Sequence, residues 1–445
     1  MRDPLPDSTV PLRPRPSIAD RLRRAACAAA ASLAAACGGG GSTTPAPIAV
    51  APATPVEWVR DTMADVYLYA DRLPKADLSA VRDAAGALAA LRVDPPDRFS
   101  YIEQRERYDG FFDEGRALGF GIGYRIEGGR PVLRFVQPES PAGRAGLRRG
   151  DRIIAIDGVD PASLPDAVAV SDALGPTEAG VVRRFAWLRD GVRSEATVTK
   201  DWYTVAPVLA TRVIERAGSR IGYVALYTFT EPTRQAWADA IATIRAAGAR
   251  TLIVDLRENG GGRLYVAADV AGSLAPTAAV GQTFTELRHN ARHVADDLVI
   301  PMPRHAATGG FDRVVWLVSG ASCSASESLI AGLRPFRDDP VIGTATCGKP
   351  VGFEPRTRDD LVLSVVSFTS RNRDGLSDWF DGLAPTCTVA DEPYVAFGDE
   401  RDPRLAEALQ WLGTGRCSPS AAKSAGLGDD RLPRAVGLAA ETGLY

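Results

Sequence analysis

Residues 314–333 run Val-Val-Trp-Leu-Val-Ser-Gly-Ala-Ser-Cys-Ser-Ala-Ser-Glu-Ser-Leu-Ile-Ala-Gly-Leu. The first five are a continuous apolar run bounded by small turn residues, which predicts a short buried strand. Residues 325–333 predict a helix that starts straight after the turn. The same alternation lies upstream: residues 221–227 predict a strand, 231–247 an amphipathic helix and 251–256 another buried strand. Strands alternating with helices imply an α/β domain whose sheet is at least partly parallel. In such sheets the chemistry gathers where strands end and helices begin.

Three stretches fall at such ends: Asp255-Leu-Arg-Glu-Asn-Gly-Gly-Gly262, Ser322-Cys-Ser-Ala-Ser-Glu327 and Gly343-Thr-Ala-Thr-Cys-Gly-Lys349. A serine hydroxyl attacks well only when a neighbour accepts its proton. A lysine does this only when neutral, and desolvation favours the neutral amine. Val341, Ile342, Ala345, Pro350 and Val351 surround Lys349 in sequence and suit a buried lysine in a chain dominated by arginine.

Outward from this domain the pattern changes. Residues 114–200 hold short β-like runs (121–126, 132–136, 152–156 and 195–198) between Gly, Pro and Asp turns. Residues 55–113 read as a small helical subdomain, with Trp58, Met63, Val66 and Tyr67 at three- and four-residue steps. Residues 38–54, rich in Gly, Ser, Thr, Pro and Ala, describe a tether. Residues 1–37 carry Arg21, Arg23 and Arg24, then the apolar run 25–36, then Cys37 before four glycines. These are the parts of an export signal, too short to span a bilayer, which takes roughly 20 apolar residues. Residues 418–445 are expected to be peripheral.

The net charge of −3 over 445 residues supplies no basic field for nucleic acid, and no Lys/Arg block follows the N-terminal stretch. Of six cysteines, Cys27 and Cys37 belong to the signal. Cys323, Cys347, Cys387 and Cys417 remain, an even number compatible with two disulfides in an exported protein and with three pairings. The three histidines, His289, His293 and His305, lie in one segment. No Glu stands between the first two as a zinc peptidase motif demands, so a solvated loop is expected and no metal or cofactor is implied.

Residues 140–158, Ser-Pro-Ala-Gly-Arg-Ala-Gly-Leu-Arg-Arg-Gly-Asp-Arg-Ile-Ile-Ala-Ile-Asp-Gly, resemble a PDZ domain of the bacterial protease type. Leu118-Gly-Phe-Gly-Ile-Gly-Tyr124 resembles its loop for a peptide's C-terminal carboxylate, which marks Leu118, Gly119, Phe120 and Gly121 as peptide-binding. Glycines let successive N–H groups converge on such an anion. The three stretches quoted above resemble the C-terminal processing (tail-specific) serine peptidases of the S41 type. That family's lysine follows its serine by 25 positions, which selects Ser324 as nucleophile and Lys349 as base and leaves Ser326 a structural role.

The resemblance implies a multidomain α/β protein with a ClpP/crotonase-like catalytic domain. Its parts are the signal 1–37, tether 38–54, helical subdomain 55–113, PDZ-like domain 114–200, catalytic domain 201–417 and tail 418–445. With Ser324 heading a helix, Ala325 offers an oxyanion N–H and Gly261 a second. Asp255, Arg257 and Asn259 brace the site. If Ser324 and Lys349 meet, the turns bearing Cys323 and Cys347 lie together, and their pairing leaves Cys387 for Cys417. The substrates implied are polypeptides with C-terminal tails. Ser-Leu-Ala-Ala-Ala-Cys also resembles a lipoprotein cleavage site, which implies lipid on Cys37 and the periplasmic face of an outer membrane. One residue departs from the family: Phe353 stands where relatives often place a glutamine. A catalytically silent peptide-binding relative is therefore the alternative to a peptidase.

Overall fold

The computed structural model describes residues 54–390 and 393–423. The signal with Cys27 and Cys37, most of the tether and the last residues lie outside them. A six-stranded sheet forms the centre, in the order Cys387–Thr388, Val341–Gly343, Arg313–Val318, Thr251–Asp255, Ser219–Leu226 and Val208–Arg216. Neighbours run parallel except Val208–Arg216, which turns back against Ser219–Leu226. One face is covered by helices Thr233–Ala246, Leu264–Leu274 and Ala325–Leu333 and the other by Pro403–Thr414. Every residue of Ala325–Leu333 is buried, Ser326, Glu327 and Ser328 included.

Residues 122–199 form a five-stranded antiparallel sheet, Ile122–Glu127, Arg130–Val136, Arg152–Ile156, Val182–Arg189 and Val192–Thr199. Helices Pro141–Arg144 and Ala167–Ala173 accompany it, around Phe120, Leu133, Leu147, Ile153, Phe185 and Trp187. The strand Val182–Arg189 was not legible, because Arg183 and Arg184 break its apolar alternation. The module is bonded to the domain of the six-stranded sheet, since Arg134 and Arg149 form buried ion pairs with Glu258 at 3.1 and 3.4 Å.

The N-terminal helices are present as Pro55–Asp65, Ala84–Leu91 and Arg105–Phe112, the first opened by a capping box of Thr54 and Glu57. This region is not helical throughout. Strand Tyr101–Gln104 pairs antiparallel with Leu361–Ser364. Val59, Met63, Tyr67 and Leu88 share one core with Val351, Leu363, Val365 and Val366. An apolar helical stripe does not say where its partner lies, so this long-range sharing has no local signature.

Candidate active site

The three central strands end side by side, so the three turns they carry are adjacent. The turn after Thr251–Asp255 is held first. Arg257 is fully buried and pairs with Asp255 at 2.5 Å and Asp402 at 2.7 Å. The Tyr223 hydroxyl donates to Asp255 at 2.6 Å. Burial and the Asp255 carboxylate beside it hold the Tyr223 hydroxyl well above the usual tyrosine range. Asn259 accepts the Gly261 N–H at 2.9 Å and donates to the Leu226 carbonyl at 3.1 Å. These residues do brace the loop.

The second turn leads into the helix. Ser324 has φ +56° and ψ −111°, a conformation that costs a non-glycine residue about 1–3 kcal/mol and is characteristic of functional sites. A Cβ on Gly261, itself at φ +115°, would lie 2.9 Å from Ser324 Cβ and 3.2 Å from the Ala325 nitrogen. Only glycine lets these turns approach so closely. The Gly261 N–H is occupied by Asn259 in this conformation, whereas Ala325 opens its helix and has no partner within it. Ser326 donates to the Asn259 carbonyl at 2.9 Å, tying the first two turns together.

The third turn delivers Lys349, 4% exposed. One buried carboxylate joins it to the second. Glu327 Oε2 accepts the N–H of Ser324 and the N–H of Lys349, each at 2.9 Å. The two nitrogens are therefore no further apart than twice that distance. Oε1 accepts the Gly348 N–H at 2.9 Å and the Thr346 hydroxyl at 2.5 Å. Burial pushes the Glu327 carboxyl above its ordinary value, and these four donors pull it back. Glu327 was visible as a motif letter, but its role was not, because its partners are spread over some twenty residues of chain.

Cys323 is joined to Cys347 and Cys387 to Cys417, with Cα atoms 5.1 and 5.5 Å apart. Among the described residues, Glu327 and Glu407 each lie close to one of these sulfur pairs. As disulfides, the pairs offer no thiolate to a metal. Closing the first loop is worth about 3 kcal/mol on chain-entropy grounds. Mapping without reduction should recover both cross-links, and reductant should lower activity. Free thiols at Cys323 and Cys347 in protein from an oxidising compartment would contradict this.

The remaining candidates lie elsewhere. Arg116–Gly119 pairs with Asp201–Thr204, which places Leu118 and Gly119 at the entrance to the β-module. Phe120 is buried in that module's core, edge-on to Phe185 at 5.1 Å. A Cβ on Gly121 would meet Ser140 at 2.1 Å, so glycine is required there. The histidines do not all sit in a solvated loop. His289 is buried between Asp297 and Glu354, at 3.3 and 3.4 Å. His293 bridges Asp65 and Asp296 at 2.9 and 2.8 Å, fastening the first helix.

The model of peptidase family S41 matches residues 220–389, that of the S41 N-terminal domain 56–101 and that of a PDZ domain 134–178. A carboxyl-terminal-processing protease of Synechocystis sp. is 28% identical over 295 residues, 65% of this chain and 66% of its own. One from Picosynechococcus sp. is 25% identical over 353 residues, 74% and 78% of the two chains. The chloroplastic carboxyl-terminal-processing peptidase 2 of Arabidopsis thaliana is 28% identical over 242 residues, 52% and 45%. The matched segments thus span between about half and four-fifths of these relatives. A solved structure from Bacteroides fragilis, described as an S41 protease, covers 81% of this chain and 97% of its own at TM-score 0.66 and 21% identity, which establishes the shared fold.

Proposed function

From the premise that residues 220–389 and 56–101 belong to peptidase family S41, we propose that this chain is a serine endopeptidase with Ser324 as nucleophile and Lys349 as general base. The observation that carries the reading is the shared Glu327 oxygen, which fixes the backbone of a strained serine beside that of a buried lysine. Ser324 Oγ attacks the peptide carbonyl while its proton passes to Lys349 Nζ. The Ala325 N–H receives the oxyanion, with Gly261 as second donor when substrate displaces its bond to Asn259. The proton then passes to the leaving amine, and water releases the acyl group by the same route. No step calls on a metal or cofactor.

Residues 118–121, next to a PDZ-type module, support substrates recognised by a free C-terminal carboxylate. Peptides with a free C-terminus should be cleaved faster than the same peptides amidated. Equal rates would contradict tail recognition. Binding of both peptides without cleavage would favour the catalytically silent reading.

The N-terminal stretch supports export and lipid on Cys37, hence the periplasmic face of an outer membrane. Wild-type protein should fractionate with membranes, and Cys37→Ser should remain uncleaved or become soluble. Wild-type mature protein found wholly in the soluble periplasmic fraction would refute lipidation.

A further inference from the structure

We propose that Phe353 and Phe99 seat Lys349 Nζ against two ring faces that stabilise the ammonium formed during the reaction. This rests on Lys349 being the base. Nζ lies 4.0 Å from the centroid of Phe353 and 5.5 Å from that of Phe99, in a site where Lys349 is almost wholly buried. Glu354, the adjacent polar residue, has other partners. Its carboxylate faces His289 at 3.4 Å, and its N–H donates to Ser367 at 2.8 Å.

The chain builds this seat deliberately. Phe353 ends the strand Val351–Phe353, whose pairing slips between Gly352, opposite Phe368, and Phe353, opposite Val366. Such a bulge re-aims the side chain that follows it. A Cβ on Gly352 would lie 2.2 Å from the Phe368 ring, so glycine lets that ring pack over the strand beside the slip. Tyr101 packs edge-on against Phe353 at 5.7 Å. Phe99 is fixed from both sides, by its N–H to Asp97 at 2.9 Å and by the Arg98 guanidinium 5.1 Å from its ring. Arg98 also donates to the Cys347 carbonyl at 2.6 Å, which ties the N-terminal segment to the turn that carries the lysine.

The electrostatics give this arrangement a direction. As the Ser324 Oγ–carbon bond forms, the proton moves from Oγ to Nζ and the amine becomes a cation. A ring face attracts a cation strongly and a neutral amine weakly, the more so without water. The interaction therefore grows towards the transition state, where it lowers the barrier. A glutamine would act on the lysine through a hydrogen bond; the rings act through their quadrupoles.

Stepwise fluorination tests this, because it weakens the ring quadrupole while nearly conserving shape. The full chain would carry mono-, di- or trifluorophenylalanine at position 353. The readouts are kcat and KM on a peptide, the rate at which a peptidyl phosphonate labels Ser324, and the thermal midpoint. Both kcat and labelling should fall with each fluorine, about tenfold in all, with KM and midpoint steady. Phe353→Trp should retain activity and Phe353→Leu lose it. Equal rates across the fluorinated series would overturn the proposal. Lys349→Ala separates the two levels of inference: if it labels as fast as wild type, the dyad reading has failed, whereas an inert Lys349→Ala with a flat series defeats the ring seat alone.

Discussion

Ser324→Ala and Lys349→Ala should each lower kcat by about 10⁴-fold or more, and the double variant should be no worse than either single one. In the proposed mechanism the nucleophile and its base act as a unit, so removing one would leave the other without a task. Neither substitution disturbs the scaffold, because Glu327 grips both positions through backbone N–H groups that alanine keeps. Both variants should therefore unfold like wild type. A normal midpoint with no turnover is the expected signature. Wild-type-like cleavage by either variant would remove the dyad from the mechanism.

The second large effect is expected at Glu327. In Glu327→Gln one oxygen becomes an amide NH₂, and all four present partners are donors. With the NH₂ in place of Oε2 the Ser324 and Lys349 N–H groups both lose their acceptor; with it in place of Oε1 the Thr346 hydroxyl can turn to accept and the Gly348 N–H is left unsatisfied. Hydrogen bonds to a charged acceptor are worth roughly 1.5–3 kcal/mol each, so with one donor orphaned in the better orientation the variant should lose about 1.5–3 kcal/mol in urea unfolding as well as most of its turnover. A pH dependence accompanies this. Burial raises the Glu327 carboxyl above its ordinary value, so folding favours the protonated acid. Its contribution is complete below the ordinary glutamate range and is lost as pH rises through the raised value. Wild-type stability should decline across that interval relative to Glu327→Gln. A variant that keeps wild-type stability and turnover would show that the two turns do not depend on this carboxylate.

The strands and helices of the catalytic domain were legible because burial writes itself into short apolar runs, as at 314–318 and 251–256. The choice of Ser324 and Lys349 came from the resemblance to the family, whose lysine follows its serine by 25 positions, and the turns that carry them do follow adjacent parallel strands. The pairing of Cys323 with Cys347 was expected from the meeting of those two turns, and the two cysteines are joined. What escaped was the set of contacts between distant segments. Tyr101–Gln104 looks like part of a helical region until Leu361–Ser364 lies beside it. Phe99 and Arg98 precede the lysine by some 250 residues and carry no motif. Arg149 and Glu258 lie far apart in sequence with nothing to mark them as partners, yet they meet in a buried pair. Phe353 was visible as a departure, but the bulge that aims it at Lys349 depends on the register of a strand pair.

The central claim is that a serine activated by a lysine carries the chemistry. Labelling with a serine-directed phosphonate, followed by intact mass and peptide mapping, tests it most directly. One adduct per chain is predicted, on Ser324, absent in Ser324→Ala and far slower to form in Lys349→Ala. An adduct on another residue, or one that persists undiminished in Ser324→Ala, would contradict the account.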